Sequence, residues 1–155
     1  MENNHRTFGF LLHDVARLLR KRFEQNARGS GLTRSQWQVL AYLERNEGIQ
    51  QGGLAELLEL EPITLGRIVD KLQALGLVER LPHPTDRRVW RLSLTEKAKP
   101  KLAELKLLGE RTRGEALQTI SETDHERLIQ LLTTLKSNLA SACATPPVQK
   151  RASHG

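Results

Sequence analysis

The chain has 155 residues and a formal net charge of +6, from 24 lysine and arginine residues against 18 aspartate and glutamate residues. This length favours one domain with extensions, and the single cysteine excludes a disulfide framework and a cysteine-rich metal site. The basic balance suits a polyanion such as nucleic acid, although solubility alone explains it equally well. Residues 1–7 are polar, and no stretch approaches the roughly 18 apolar residues of a membrane span, so we expect a cytoplasmic protein without membrane contact.

The first predicted elements are three helices. Apolar residues recur at three- and four-residue steps over Phe8–Ala27, which predicts an amphipathic helix. Thr33 and Gln36 then have the spacing of a capping box, in which the two side chains satisfy free backbone N–H groups at a helix start. The helix that begins there has Trp37 on its buried side. A short third helix is predicted around Gly53–Leu58.

The fourth predicted helix runs from Pro62 to Leu75, after which the periodicity changes to that of strands. Proline is tolerated at the first helical position because the N–H there has no intrahelical partner, and Gly76 suits the helix stop. The segments Leu77–Leu81 and Val89–Leu94 alternate as short strands and are joined by a turn-rich loop. Together they predict a β-hairpin.

Two further helices are predicted after the hairpin. Thr95 can cap the first, which runs toward Gly114, and Ser121 opens the second, which continues through regularly spaced leucines to Leu139. From about Ala144 the chain has little apolar content, which predicts a disordered tail.

This order of elements predicts a winged helix-turn-helix, in which the second helix of a pair presents its polar side to the major groove of DNA. The predicted fold class is mainly α with a small β-hairpin wing. We expect an N-terminal dimerisation helix in residues 1–31, the DNA-binding domain in 32–95, C-terminal dimerisation helices in 96–143 and the tail in 144–155.

The candidate base-reading residues lie on the helix that begins at Pro62. Its apolar stripe consists of Leu65, Ile68, Val69, Leu72 and Leu75. The opposite side offers Ile63, Thr64, Arg67, Asp70 and Lys71. Arginine can donate two hydrogen bonds to guanine, and threonine offers a hydroxyl and a methyl group. A solvated helix residue is the alternative for Arg67, and its context in the motif favours a DNA contact.

The hairpin adds a second group of candidate DNA-binding residues. Four arginines and one acid lie between Arg80 and Arg91. Arg87 and Arg88 follow the loop tip, where guanidinium groups suit phosphates or a narrow minor groove. Asp86 is expected to brace one of these arginines, since a carboxylate repels phosphates. An ordinary charged hairpin is the alternative.

Several short motifs between Leu32 and Pro100 occur together. They are Leu32-Thr33, Trp37-Gln38-Val39-Leu40, Leu54-Ala55, Thr64 through Arg67, Asp70-Lys71-Leu72, Gly76-Leu77-Val78 and, most specifically, Asp86-Arg87-Arg88 followed by Leu92-Ser93-Leu94-Thr95-Glu96-Lys97-Ala98. This set resembles the MarR family, and within it the SlyA-like branch. Pro62-Ile63 departs from the family pattern, which has Gln-Pro there; the helix geometry is kept with Pro62 as the first helical residue, but the departure bears on base preference.

The resemblance implies a homodimer, formed by the first and last helices, on a short palindromic operator in double-stranded DNA. It also implies repression and, commonly, release by a small anionic or phenolic ligand. By the family pattern, Thr64 and Arg67 read bases, and Arg87 or Arg88 enters the minor groove.

A ligand cleft has weaker support in the sequence. His13 and Arg17 are four residues apart on the first predicted helix and can line a cleft near Trp37. A position at the edge of the core is the alternative for both.

Other function classes lack their sequence signatures. No glycine-rich phosphate loop, nucleophile motif or zinc-protease motif is present, so we expect no enzyme and no cofactor. The histidines are scattered, which predicts no metal site, and Cys143 has no basic pocket or resolving partner in the sequence to support redox sensing. The remaining alternative is a helical scaffold or antirepressor of the same fold that acts through a protein partner. Arg67 and the wing arginines argue against it.

Overall fold

The chain divides into two compact units after Ala116. The structure, a computed structural model, describes residues 7–145. The first unit contains α1 (Phe8–Asn26), α2 (Arg34–Arg45), α3 (Gln51–Leu57), α4 (Pro62–Ala74), β1 (Val78–Pro82), β2 (Trp90–Leu94) and α5 (Ala98–Ala116). The second contains α6 (Glu122–Ala144). The prediction of a mainly α fold with one β-hairpin is confirmed. Of the tail predicted for residues 144–155, Ala144 is the last residue of α6, and residues 146–155 lie outside the described residues.

The core of the first unit is a cluster of buried apolar side chains contributed mainly by α2, α3, α4 and the hairpin. Its largest fully buried members are Trp37, Leu40, Leu43, Leu54, Leu65, Leu72 and Leu92. Each buried leucine contributes about 1.5–3 kcal/mol from loss of contact with water. Because α4 supplies Leu65 and Leu72 to this cluster, the core fixes which side of α4 faces outward.

The start of α2 is fixed by its first turn. The Thr33 hydroxyl accepts a hydrogen bond from the Gln36 backbone N–H at 3.2 Å, and the Gln36 side-chain oxygen accepts one from the Thr33 N–H at 2.9 Å. These reciprocal bonds satisfy two of the N–H groups that a helix start leaves free. The predicted capping box is confirmed, and it sets the register of Trp37.

Both helices of the helix-turn-helix end in a residue with left-handed backbone conformation. After α3 this residue is Glu59, with φ of 52°, and the Leu60 N–H donates back to the Ala55 carbonyl at 2.9 Å. After α4 it is Gly76, with φ of 74°, as predicted. The left-handed region suits glycine better than glutamate, so backbone bonds of the turn must hold Glu59 there.

Two local predictions are wrong. Thr95 does not cap a helix: its hydroxyl donates to the Gly76 carbonyl at 2.5 Å, and α5 begins only at Ala98. Leu75 does not belong to the buried stripe of α4, because it follows the last helical residue and is 44% exposed. In both places the path of the chain at a helix boundary overrides the periodic pattern.

The hairpin is anchored to the segment between α2 and α3. In the antiparallel register of β1 and β2, Arg80 is paired with Leu92 and Pro82 with Trp90. Leu92 also exchanges backbone hydrogen bonds at 2.9 Å with that segment, donating to the Ile49 carbonyl and accepting from the Gly48 N–H. The hairpin therefore projects from the core as a supported strand pair.

Helix α1 packs on α5 through polar contacts near its C-terminal end. Asn26 donates to the Thr112 hydroxyl at 3.1 Å and to the Glu115 carboxylate at 3.2 Å, and Arg22 is hydrogen-bonded to the same carboxylate. The hydrogen bond from Arg22 holds the pKa of Glu115 below its usual range. Nearer its start, α1 exposes the apolar side chains Phe8, Phe10, Leu11, Leu12, Val15 and Leu18.

The described part of the second unit contains one long helix, α6. The Ser121 hydroxyl accepts a hydrogen bond from the Asp124 N–H at 3.1 Å, which confirms the predicted start of α6. Several of its apolar side chains are exposed, namely Leu128, Ile129, Leu131 and Leu139. Within residues 7–145, no helix is both long and apolar enough to cross a membrane.

Candidate nucleic-acid interface

Helix α4 has one fully buried side and one exposed side. Leu65, Val69 and Leu72 are buried in the core at helical spacing, while Thr64 and Arg67 point to solvent. Three apolar side chains over two turns prevent the helix from rotating about its axis. The polar side of α4 therefore faces solvent from a helix whose orientation is fixed, and recognition of another molecule requires such a fixed orientation.

The exposed side of α4 borders a groove of about 320 Å³ next to the first turn of α2. The groove is lined by Thr33, Ser35, Gln36, Thr64, Arg67, Ile68 and Lys71. It thus joins three of the predicted base-reading residues in one concave surface, while Ile63, which is 72% exposed, lies outside this lining. In the part of the chain that the structure describes, the Arg67 and Lys71 side chains make no hydrogen bond or ion pair, so their donors face solvent.

The hairpin tip is ordered by side-chain contacts to its own backbone. The Asp86 carboxylate accepts hydrogen bonds from the Arg88 backbone N–H at 3.0 Å and from Arg88 Nε and Nη2 at 3.1 and 3.2 Å. His83 Nδ1 accepts from the Thr85 and Asp86 N–H groups at 3.2 and 3.1 Å. The prediction that Asp86 braces an arginine is confirmed.

The Asp86–Arg88 pair persists over the physiological pH range. The side-chain hydrogen bond from Arg88 holds the pKa of Asp86 below its usual range, and the backbone bond acts in the same direction. A carboxyl whose pKa is lowered on folding stabilises the folded state above its ordinary pKa and loses that effect as the pH falls through the lowered value. At neutral pH Asp86 is therefore ionised and holds Arg88.

The two arginines at the tip remain available to an external anion. The Arg88 side chain is 90% exposed despite its pairing with Asp86. Within residues 7–145, the Arg87 side chain has no hydrogen bond or ion pair. A groove of about 300 Å³ joins Arg88 and Trp90 to Pro62 at the start of α4, so the hairpin and α4 share one surface.

The other two hairpin arginines contact the protein itself, which the sequence analysis did not predict. Arg91 Nε donates to the Gly48 carbonyl at 3.0 Å, and Arg80 is bonded to α3 and α4. The alternation of the strand could have shown that Arg80 faces the domain, because Arg80 lies two residues after the buried Val78 and opposite the buried Leu92. The net charge of the hairpin does not distinguish an arginine that faces the domain from one that faces solvent.

A separate cavity of about 330 Å³ lies between α1, α2 and α5. Its lining consists of Leu19, Arg20, Phe23, Arg34, Trp37, Gln38, Ala41, Leu105, Gly109, Thr112 and Arg113. Trp37 is at this cavity as predicted, but His13 and Arg17 are outside it: both are exposed, and Arg17 pairs with Asp14 at 3.7 Å. The helices meet farther along α1, so that Arg20, on the same side of α1 one turn later, takes the place predicted for Arg17.

Comparison with known protein families shows to which family a chain with this geometry belongs. The model of the MarR family matches residues 30–89, which contain α2, α3, α4 and the hairpin up to its tip. The crystal structure of the transcriptional regulator PA3341 is 32% identical, with a TM-score of 0.76, over 87% of this chain and 99% of that chain. The chain belongs to the MarR family.

Solved structures of MarR-family proteins agree. Wild-type MarR from E. coli in its apo form is 25% identical, with a TM-score of 0.76, over 83% of this chain and 96% of that chain. A MarR-family transcriptional regulator from Rhodococcus sp. RHA1 is 25% identical, with a TM-score of 0.75, over 87% and 96%. The MarR resemblance drawn from the sequence is confirmed at the level of the family, whose members are transcription regulators.

Side chains that ligate metals are not clustered in the described part of this MarR-family chain. Among residues 7–145, no group of three or more His, Cys, Asp and Glu side chains could hold a metal ion. Cys143 is a free, exposed thiol on α6.

Proposed function

We propose that this protein is a sequence-specific DNA-binding transcriptional regulator that reads base edges with α4 and contacts the flanking backbone with the hairpin. One observation carries the proposal: Thr64, Arg67 and Lys71 are exposed on one side of α4, while the opposite side is fully buried. A helix held in this way can enter the major groove, which is about 12 Å wide. The net charge of +6 supplies attraction to phosphates.

We further propose a homodimer on a palindromic operator, with dimerisation through residues 1–31 and 96–143 and DNA binding through 32–95. Support comes from the exposed apolar side chains of α1 and, separately, of α6. A second copy can cover such surfaces with the same residues, because a two-fold interface is self-complementary. Two α4 helices then lie about one DNA turn apart, roughly 34 Å. Light scattering that gave a monomer at micromolar concentration would contradict this.

The SlyA-like branch and a repressor's role belong to the same proposal. Their support is the resemblance of Asp86-Arg87-Arg88 and of the segment 92–98 to that branch. A reporter placed behind the operator tests the sign of regulation: its expression should rise when this protein is removed.

The experiment that tests DNA recognition is a fluorescence anisotropy titration on the DNA upstream of the protein's own gene and on random DNA, at two salt concentrations. Tight, site-selective and salt-sensitive binding is expected, since phosphate contacts supply affinity and base contacts supply selectivity. Equal and weak binding to both DNAs would instead favour the scaffold or antirepressor that acts through a protein partner.

Replacing Arg88 by alanine should weaken binding to both DNAs and reduce the slope of log affinity against log salt by about 1 per subunit, because one phosphate contact is lost. The measurement is the titration above at four salt concentrations. Arg111→Ala removes an exposed arginine from α5 and serves as the charge-matched control. An unchanged slope for Arg88→Ala would argue against a phosphate contact.

We propose that a small anionic or phenolic effector occupies the cavity between α1, α2 and α5. The supporting features are its apolar lining, which includes Phe23 and Trp37, and the arginines Arg20, Arg34 and Arg113 around it. An effector releases DNA only if it binds one arrangement of the DNA-binding domains better than the other.

Benzoate is a suitable probe of this cavity because it combines an aromatic ring with a carboxylate. In a Trp90→Phe background, benzoate should change Trp37 fluorescence saturably. Arg20→Gln should weaken this response, since it removes a cationic partner of the carboxylate. Arg17→Gln, one turn away and outside the cavity, is the matched control. Equal weakening by both variants would point to general charge rather than to this site.

A further inference from the structure

Arg80 connects three elements of the DNA-binding domain through one guanidinium group. From β1 its Nε donates to Gln51 Oε1 on α3 at 3.0 Å. On α4, Nη1 donates to Gln73 Oε1 at 2.7 Å and pairs with the Asp70 carboxylate at 2.7 Å, while Nη2 donates to the Gly66 carbonyl at 3.2 Å. The side chain is only 17% exposed, in contrast to the arginines at the hairpin tip.

The contacts of Arg80 on α4 follow one stripe of the helix. Gly66, Asp70 and Gln73 are spaced by four and three residues, so they lie on the same side over two turns. A group bonded at three points along two turns restrains both the rotation of the helix and its position along the axis. The strand that leads into the hairpin tip thus also holds the helix proposed to read bases.

Arg80 also compensates a charge that is unfavourable at this surface. The Asp70 side chain is 65% exposed and lies between Arg67 and Lys71 in sequence. An unpaired carboxylate there would repel DNA phosphates. Its contact with Arg80 neutralises this charge without using Arg67 or Lys71, whose side chains stay free for DNA.

We propose that Arg80 is a positioning residue for DNA recognition: it fixes the orientation of α4 relative to the hairpin and masks Asp70, and it does not itself contact DNA. This inference rests on the proposed function. Three of the five guanidinium N–H groups donate hydrogen bonds to the protein, and Nη1 also pairs with Asp70, which leaves little for a phosphate. A lysine cannot replace it, because an ammonium has three donors and no planar fork.

The test compares Arg80→Lys and Arg80→Met with Arg91→Met on operator and random DNA. Arg91→Met makes the same charge change in the same hairpin, but Arg91 bonds to Gly48 and not to α4. For both Arg80 variants, the ratio of operator to random affinity should fall roughly tenfold, while the salt slope of Arg80→Lys, which keeps the charge, stays unchanged. For Arg91→Met the ratio should stay constant. Arg80→Met that behaves like Arg91→Met, or Arg80→Lys that keeps the wild-type ratio, would overturn the proposal.

Asp70→Asn provides a second test that does not depend on the folding of an Arg80 variant, because position 70 is largely exposed. Loss of a negative charge should raise affinity for random DNA, while the weakened hold on α4 should lower the operator-to-random ratio. A rise of equal size on both DNAs would mean that the pair has only an electrostatic role and would overturn positioning by Arg80.

Hydrogen exchange of the free protein separates this proposal from the proposed function. Arg80→Lys should speed exchange of the amides of residues 62–74, whereas Arg91→Lys should leave them unchanged. If the wild-type protein showed no site selectivity, the proposed function would fail, and exchange would still decide whether Arg80 holds α4. Unchanged exchange in Arg80→Lys would overturn the proposal in either case.

Discussion

Replacing Leu65 by alanine is expected to lower the free energy of unfolding by about 2–5 kcal/mol. Leu65 is fully buried and joins α4 to the core. Truncation removes its favourable burial and leaves a cavity that the surrounding side chains fill only in part. Urea denaturation followed by the fluorescence of the buried Trp37 measures the loss. The protein concentration must be held fixed, because the stability of a dimer depends on it.

Ile63→Ala is the control for this prediction. Ile63 lies two residues earlier on the same helix and is 72% exposed, so a similar truncation should change the free energy of unfolding by less than about 0.5 kcal/mol. Equal losses for the two variants would show that α4 is not held by the core as described. If only Leu65→Ala lowered the free energy of unfolding strongly, burial of the apolar side of α4 would be shown to hold the helix and so to present its exposed side.

The local features of this fold could be predicted from sequence because their causes are local. The capping box of Thr33 and Gln36 needs only two side chains and the backbone between them. The stop at Gly76 needs only a residue that tolerates positive φ. Leu65 and Leu72 were assigned correctly because a single periodicity over two turns decides which side of α4 is buried.

Features that depend on distant segments could not be predicted in this way. Thr95 has the residue type of a helix cap, but its hydroxyl donates a hydrogen bond to the carbonyl of Gly76, 19 residues earlier in the chain. The cavity at Trp37 depends on where α1 and α5 cross, so Arg20 and Arg113 were missed and Arg17 was chosen instead. Residue types and their spacing do not determine where two helices cross.

The hairpin arginines show the same distinction within one short motif. Asp86 and Arg88 are two residues apart. Pairing of Asp86 with a neighbouring arginine could be predicted, because a carboxylate repels phosphates and is therefore unsuited to contact DNA itself. The partners of Arg80 are Asp70 and Gln51, which become neighbours only when α3, α4 and the hairpin assemble. Arginines that contribute equally to the net charge therefore fall into two groups, those that hold the domain together and those that are exposed at the hairpin tip.

Replacing Arg67 by alanine is expected to cost about 1–3 kcal/mol of binding free energy on the operator and much less on random DNA. The reason is that Arg67 lies exposed in the groove beside α4 with Thr64 and Lys71, where a guanidinium can donate two hydrogen bonds to one guanine. Anisotropy titrations on the operator, on random DNA and on operators with single base changes measure both the loss and the position that is read.

Arg67→Lys separates the charge of this residue from its geometry. Lysine keeps the attraction to phosphates but loses the planar pair of donors, so random DNA should be bound as by the wild type while the operator is bound more weakly. Equal losses on both DNAs for Arg67→Ala, with full recovery in Arg67→Lys, would mean that Arg67 contacts phosphate. Base selectivity would then have to come from Thr64, Lys71 and the shape of the DNA.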